Sequence, residues 1–226
     1  MAPTGKNESD GRRPVTRARL MKMFHRLLAA FGPRGWWPGE TPFEVMVGAV
    51  LTQNTAWVNV DKALANLKQA GLMSPEALGR VRPEELAALI KPAGYYNVKA
   101  RRLLNLIELV LAAGGGNPPR LLRRPPDRLR ADLLAVKGVG PETADSILLY
   151  AAGVPVFVID AYTRRVLARH HLIQGDEDYG RLQALFMDRL PPEAALFNEF
   201  HALLVHLGHR HCRAKPRCRG CPLDGH

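Results

Sequence analysis

Most of the chain carries apolar residues at three- and four-residue steps, the spacing of one buried helix face. The clearest stretches have their apolar positions at Phe43, Val47, Val50 and Leu51, and at Leu103, Leu104, Ile107, Val110 and Leu111. Proline and glycine interrupt the pattern where helices would end, as in GGGNPP at 114–119. The pattern predicts an all-α protein with helices of ordinary length.

One segment, VPVFVI at 154–159, departs from the helical pattern and has the composition of a strand. A solitary strand has no neighbour with which to form hydrogen bonds. We therefore predict an extended connection within the all-α fold, leading to the carboxylate of Asp160.

A glycine-flanked turn precedes this connection. Gly138 and Gly140 lie on either side of Val139, and their lack of a Cβ allows a tight turn whose N–H groups can approach an anion such as phosphate. Pro141 suits the first position of a helix, where an N–H would have no helical partner. We predict a helix that begins at 140–141 and directs its positive end at the same phosphate.

The charge balance favours a polyanionic partner. The 226 residues include 32 Lys and Arg against 21 Asp and Glu, a net charge of +11, and the pI is about 10.1. Residues 99–137 hold nine basic and three acidic side chains, and 205–226 hold five and one. We expect Lys99, Arg101 and Arg102 to face solvent or phosphate. The charge supports nucleic-acid binding but does not define a site.

The turn, Pro141 and the downstream sequence VIDAYTRRV together resemble the helix-hairpin-helix and catalytic aspartate of the endonuclease III superfamily of DNA glycosylases. The resemblance runs from about residue 20 to the last residue. It implies a two-lobed all-α fold: a six-helix barrel lobe at 43–153 that carries the hairpin, and an N- and C-terminal lobe at 15–42 plus 154–226. Residues 1–14 are expected to form a disordered tail.

The resemblance also assigns candidate roles around the hairpin. Gly138, Val139, Gly140 and Lys137 would contact the DNA backbone, and Gln53 would fill the gap left by an extruded nucleotide. An ordinary amide at the end of a helix is the alternative for Gln53. For Lys137 the alternative is a catalytic role, as the amine nucleophile.

Asp160 and Glu142 are the candidate catalytic residues. In bifunctional members of the superfamily, a lysine two residues after the second glycine attacks the sugar and forms a Schiff base. That position holds Glu142 here, and a carboxylate cannot form a Schiff base. We expect a monofunctional enzyme in which Asp160 stabilises the cationic sugar and orients or deprotonates water. Asp160 also suits the N-cap of a helix starting near Ala161, and the two roles are compatible.

An aromatic cluster is the candidate base pocket: Trp36, Trp37, Pro38 and Phe43. Stacked rings suit a flipped base, and they would attract a cationic alkylated purine by roughly 1–2 kcal/mol when desolvated. The Trp-Trp-Pro sequence, LTQNT at 51–55 and Glu142 resemble the 3-methyladenine branch of the superfamily. The alternative is that both tryptophans serve only as core packing.

Three cysteines close the chain in the spacing C-x5-C-x2-C: Cys212, Cys218 and Cys221. Thiolates so close together typically share a metal. The segment resembles the iron–sulfur loop of endonuclease III relatives, which implies a [4Fe-4S] cluster. The fourth cysteine of that pattern would fall one position after His226. We leave open a shortened chain, a fourth ligand such as His211 or His226, zinc, or no metal.

The expected partner is double-stranded DNA containing damaged bases. We expect a cytoplasmic, nucleoid-associated monomer without a membrane segment, since no apolar run approaches the length that crosses a bilayer. Two other functions stay open: a bifunctional glycosylase and AP lyase acting on oxidised pyrimidines, and a non-catalytic DNA-binding repair protein.

Overall fold

A computed structural model describes residues 14–225, and over this range the chain is all-α, as predicted, with no strand. Residues 1–13, which make up nearly all of the expected tail, and His226 lie outside the described residues. The α-helices of the described range are α1 Arg17–Phe31, α2 Pro42–Leu51, α3 Trp57–Gln69, α4 Pro75–Leu78, α5 Pro83–Leu89, α6 Tyr96–Gly114, α7 Pro118–Leu122, α8 Pro126–Leu134, α9 Pro141–Ser146, α10 Ala161–Arg169, α11 Tyr179–Met187 and α12 Ala194–Arg210. None of them is long and apolar enough to cross a membrane.

The contacts group the chain into two units. The hairpin unit comprises Gly35–Val158 and Pro192–Glu199. The cysteine unit comprises the described part of Met1–Arg34, Ile159–Pro191 and Phe200–His226. The expected lobes, 43–153 against 15–42 plus 154–226, differ because 35–42, 154–158 and 192–199 group with the hairpin. Trp36 packs on Trp57, and Phe157 packs on Phe197. The two-lobe organisation itself stays a prediction.

Helix α2 forms the core of the hairpin unit. Pro42 occupies its first turn, and the Thr41 hydroxyl accepts a hydrogen bond from the backbone N–H of Glu44 at 3.1 Å. Every residue from 43 to 51 is buried, so this helix is enclosed on all sides. The buried Glu44 carboxylate is neutralised by Lys68, whose Nζ lies 2.9 Å away. The end of α2 therefore places the following turn against a rigid core.

The hairpin consists of α8, a turn at 135–140, and α9. Helix α9 begins at Pro141, which confirms the predicted start, and it continues as a π-helical turn at Ile147–Ala151. An ion pair joins the two helices: the Nε of the half-buried Arg130 lies 2.7 Å from the fully buried carboxylate of Asp145. Leaving that carboxylate buried without its partner would be strongly destabilising.

The position of Lys99 differs from the prediction made from the sequence. This residue is 1% exposed rather than facing solvent or phosphate, because it lies on the same face of α6 as Leu103, Leu106 and Val110. Its Nζ donates to the Leu51 carbonyl at 2.7 Å, the Thr55 hydroxyl at 2.6 Å and the Ala93 carbonyl at 2.8 Å. Burial, together with the nearby charge of Arg102, lowers the pKa of Lys99 to about 8.

The cysteine unit is built from α1, α10, α11 and the later part of α12. Phe200 is central to its core, with ring centroids 5.4 Å from Phe24 and 5.6 Å from Phe186. Gly208 allows α12 to approach α10 closely, since a Cβ there would overlap the ring of Tyr162. This packing fixes α10, whose first residue follows Asp160.

The connection at 153–160 has no regular secondary structure, so it is a connection and not a strand, as predicted, although the Val156 N–H donates to the Val154 carbonyl at 2.8 Å in a tight turn. Residues 156–159 are buried. Within the hairpin unit the ring of Phe157 meets that of Phe197 edge-on, at 5.5 Å. The segment therefore packs as core.

Candidate DNA-binding and catalytic site

The turn between α8 and α9 depends on Gly138. Its φ of +97° lies in the region that favours glycine, and a Cβ at this position would overlap the side chain of Arg102. Gly140 has ordinary extended backbone and is the N-cap of α9. Gly138, Gly140 and Lys137 are exposed, whereas the Val139 side chain is 6% exposed. The Val139 N–H already donates to the Val136 carbonyl at 3.0 Å, so the exposed glycines on either side of it are the residues whose backbone can meet a phosphate.

Gln53 lies directly against this turn. Its amide nitrogen donates to the Gly138 carbonyl at 3.1 Å and to the Thr143 hydroxyl at 2.9 Å. Its amide oxygen accepts a bond from the Arg102 guanidinium at 2.5 Å. The C-cap of α2 is Thr52, so Gln53 is not the capping amide of that helix. Instead, Gln53 links the turn after α2 to the hairpin.

An open cavity of about 430 Å³ lies at this junction. It brings together five residues predicted to act at the site with three further ones, and its lining is Gln53, Asn54, Arg102, Gly138, Val139, Gly140, Glu142 and Thr143. Glu142 is exposed in the first turn of α9. The cavity therefore combines backbone N–H donors, one cation and one carboxylate.

Asp160 is the N-cap of α10 in the cysteine unit, as predicted. Its Oδ1 accepts a hydrogen bond from the Thr163 backbone N–H at 2.7 Å. The other oxygen, Oδ2, lies 3.7 Å from Nε2 of His201 on α12. Burial lowers the pKa of His201, although the charge of Asp160 acts in the opposite direction. The neighbouring imidazole is therefore neutral at pH 7.

The predicted aromatic residues belong to a larger cluster in the hairpin unit. The Trp57 ring lies 4.9 Å from that of Trp36 and 5.1 Å from that of Trp37, and Tyr150 lies 5.2 Å from Trp37. Trp36 and Trp37 are half-buried, Pro38 is exposed and Phe43 is buried in α2. The buried Nε1 of Trp37 has no hydrogen-bond partner among residues 14–225.

All three cysteines line one cavity of about 270 Å³, together with His211. Cys212 is buried, Cys221 half-buried and Cys218 exposed. Burial raises the pKa of the Cys221 thiol, and the nearby Cys212 and Cys218 add to this effect. Over the described range, no three His, Cys, Asp or Glu side chains are arranged to hold a single metal ion. The structure thus gathers the thiols but does not form a mononuclear site.

Part of the basic excess is engaged in internal contacts. Arg130 pairs with Asp145, and Arg124 lies 2.6 Å from Asp132. In the cysteine unit, Arg165 and Arg169 donate to backbone carbonyls of the loop that starts at Cys212. Exposed cations that could meet phosphate include Lys137 in the hairpin unit and Arg213, Lys215, Arg217 and Arg219 in the cysteine unit.

Sequence reasoning missed several contacts of these sites. Trp57 could have been noticed as the third tryptophan of an aromatic-poor chain. Lys99 could have been noticed as a cation on an apolar helix stripe. Arg102 and His201 carried no such signal, because their partners are 49 positions away at Gln53 and 41 positions away at Asp160.

The family comparison identifies the class of protein. The model of the HhH-GPD superfamily, described as base excision DNA repair proteins, matches residues 47–192. The chain belongs to this superfamily.

Two individual relatives support this family assignment. A Methanocaldococcus jannaschii protein, provisionally named a DNA repair glycosylase, is 42% identical over 206 residues, which are 90% of this chain and 93% of the relative. Endonuclease III of Thermotoga maritima is 31% identical over 82% of each chain.

Two solved structures share the fold. One is the 3-methyladenine DNA glycosylase MagIII of Helicobacter pylori bound to 1,N6-ethenoadenine. It has a TM-score of 0.73 and 30% identity over 86% of this chain and 98% of that one. The other is a non-covalent endonuclease III–DNA complex, with a TM-score of 0.78 and 25% identity over 92% and 93%.

The two hairpin glycines should respond differently to alanine. Gly138→Ala should lower the free energy of unfolding by about 1–3 kcal/mol, because it strains a positive φ and displaces Arg102. Gly140→Ala is the matched control: its φ is −94°, and no described atom lies within 4 Å of the new Cβ. It should stay within about 0.5 kcal/mol of the parent in urea unfolding. Equal losses would contradict this account of the turn.

Proposed function

We propose that the protein is a monofunctional DNA glycosylase that hydrolyses the N-glycosidic bond of an alkylated purine in double-stranded DNA. The observation that carries the proposal is Glu142, which occupies the lysine nucleophile's position in the first turn of α9. A carboxylate there leaves water as the nucleophile. The similarity to a 3-methyladenine glycosylase bound to an ethenoadenine supports a modified purine as the target.

The hairpin would hold the DNA backbone. The exposed backbone of Gly138 and Gly140 and the N-terminal end of α9 offer N–H donors to a phosphate, and Lys137 adds a positive charge. Gln53, fixed beside this turn, would occupy the space of the extruded nucleotide. Binding would thus combine phosphate contacts with support for the opened base stack.

Asp160 would act on the sugar. Its carboxylate is oriented by the Thr163 N–H, and its charge would stabilise the developing oxocarbenium ion. Water forms the new bond to C1′ and gives a proton to Asp160, while the electron pair of the breaking C1′–N bond leaves with the base. An alkylated purine that already carries a positive charge becomes neutral as it leaves, so no strong general acid is required.

The aromatic cluster would receive the base. Trp36 and Trp37 offer ring faces to a cationic purine, and Trp57 and Tyr150 brace them. The buried Nε1 of Trp37 is a donor that a ligand acceptor could satisfy. These rings also pack against one another, so a packing role and a recognition role coexist.

An iron–sulfur cluster would have a structural role. Cys212, Cys218 and Cys221 are the ligands we propose, because their thiols line one cavity and thiolates are the usual ligands of such clusters. Three thiolates are one fewer than the usual four. A cluster there would brace the basic loop at 212–221, and no step of base release depends on it. We further propose that the protein acts as a monomer on nucleoid DNA in the cytoplasm.

The alternative is a bifunctional enzyme that uses Lys137. The similarity to endonuclease III, including a covalent endonuclease III–DNA intermediate at 25% identity and a TM-score of 0.79, favours it as the second candidate. Lys137 is exposed in the hairpin turn. A third candidate is DNA binding without catalysis.

Single-turnover assays on duplexes with an alkylated purine, an oxidised pyrimidine or an abasic site test the function. We expect release of the alkylated purine, and Asp160→Asn should abolish it while DNA affinity stays within a few-fold. Asparagine caps helices as well as aspartate does, so the fold should persist. The matched control is Asp178→Asn, a second N-cap aspartate, which bonds the Arg181 N–H at 2.9 Å. Wild-type excision by Asp160→Asn would refute the catalytic assignment.

Borohydride reduction separates the two enzymatic candidates, because it traps a Schiff base as a stable enzyme–DNA adduct. We expect little or no adduct with the wild-type chain, since Glu142 cannot form one. Glu142→Lys supplies the missing amine and tests whether this position can support trapping. Strong wild-type trapping that Lys137→Ala removes would establish the lyase instead.

Metal analysis tests the cluster proposal. Protein purified anaerobically should contain iron and absorb broadly near roughly 400 nm. Cys218→Ser should reduce the iron content, the absorbance and the thermal stability together. Zinc without iron, or neither metal, would rule out the proposed cluster.

A further inference from the structure

Two basic residues of α6 contact the turn that follows α2. Lys99 and Arg102 are three positions apart and so share a helix face. Lys99 binds the Leu51 carbonyl and the Thr55 hydroxyl, at the two ends of the turn. Arg102 binds Gln53, near its middle. Helix α6 therefore holds the turn at both ends and at the residue that lies on the hairpin.

The Arg102 contact determines which way the Gln53 amide points. A guanidinium has only donors, so it must face the amide oxygen of Gln53. The amide nitrogen is then directed to the Gly138 carbonyl and the Thr143 hydroxyl, both of which accept from it. A reversed amide would place donor against donor at Arg102 and oxygen against oxygen at Gly138. One orientation satisfies all three contacts.

Arg102 also contacts the hairpin through its aliphatic stem. A Cβ on Gly138 would overlap Arg102 Cγ and lie 2.9 Å from Cδ and 3.1 Å from Nε, so the stem crosses the bare Cα of the glycine. The glycine with positive φ and the Gln53 side chain are therefore held by the same residue. Loss of the guanidinium would free the amide, while an aliphatic stem of similar length would keep the packing on Gly138.

We propose that Arg102 is a positioning residue that fixes Gln53 against the hairpin, so that the DNA-free protein presents both as one preassembled surface. This inference rests on the proposed function, in which Gln53 supports the opened base stack. Preassembly favours binding because a side chain that is already ordered loses less entropy when it engages DNA. Arg102 acts through Gln53 and does not itself hold a phosphate.

A double-mutant cycle tests this role. The variants are Arg102→Met, Gln53→Ala and the double substitution, with Arg101→Met, an exposed neighbour on the same helix, as the matched control. The measured quantity is the preference for a duplex containing a tetrahydrofuran abasic analogue over an intact duplex. If the charged hydrogen bond between Arg102 and Gln53 determines this preference, either single variant should reduce the preference about tenfold. The double variant should lose no more, and Arg101→Met should stay within about twofold of the parent.

Direct phosphate binding by Arg102 predicts a different result. Affinity for both duplexes would then fall together, so Arg102→Met would leave the preference close to that of the parent, and it would make the log–log salt slope for intact DNA shallower by about 0.9. Either result would overturn the proposal. Arg102→Lys keeps the stem and the charge but offers a compact ammonium, so it should restore part of the preference. It also provides the test if Arg102→Met does not fold.

Side-chain amide NMR of the free protein gives a reading that is independent of catalysis. The Gln53 amide protons should exchange slowly with solvent in the parent and in Arg101→Met, and rapidly in Arg102→Met. Unchanged protection in Arg102→Met would overturn the proposal. If the wild-type chain releases no damaged base, the proposed function fails, while the binding cycle and the NMR measurement still decide the role of Arg102.

Discussion

The buried ammonium of Lys99 is the interaction on which the hairpin unit depends. Its three hydrogen bonds join the end of α2, the turn after it and the Ala93 carbonyl, and each acceptor is a backbone or hydroxyl oxygen without formal charge. Removing the ammonium would leave these oxygens without that donor, at a cost of about 1–3 kcal/mol for each one that is buried and finds no other partner. The position of Gln53 follows from this anchor, and the contacts of Gln53 with the hairpin follow in turn. A polar contact deep in an apolar helix stripe thus determines where an exposed surface forms.

The number of basic residues overstates the number of cations that are free to meet DNA. Arg124 and Arg130 neutralise carboxylates within the hairpin unit, and Arg165 and Arg169 bind carbonyls of the cysteine loop. Several arginines therefore stabilise the fold from within, and the planar guanidinium with its five N–H donors suits this role. What remains for phosphate is the exposed cations, such as Lys137 and Arg213, and the backbone N–H groups of the hairpin turn. Phosphate contacts from such groups would fix position on the duplex without reading its sequence, as a search for damage in any context requires.

The predictions from sequence succeeded where the determinant is local. Pro141 marks the start of α9, Asp160 caps α10, and the apolar period gives the helices, because each depends on neighbours within one or two turns. The contacts that build the candidate site are of another kind. Arg102 meets Gln53 and His201 approaches Asp160 only after distant segments have packed, and one sequence carries no sign of such pairs. Lys99 is an intermediate case. Its place on the apolar face of α6 could be read from the sequence, but its hydrogen-bond acceptors could not.

The N-cap and the proposed catalytic role of Asp160 reinforce each other. The bond from the Thr163 N–H engages Oδ1 and orients the carboxylate, so in the proposed mechanism Oδ2 would be the oxygen that acts on water and sugar. A protonated histidine 3.7 Å from Oδ2 would weaken the negative charge that a cationic sugar requires. Burial prevents this, since it lowers the pKa of His201 and keeps the ring neutral at pH 7. A buried, neutral histidine can therefore pack beside Oδ2 without cancelling its charge, which a lysine or arginine in the same place would do.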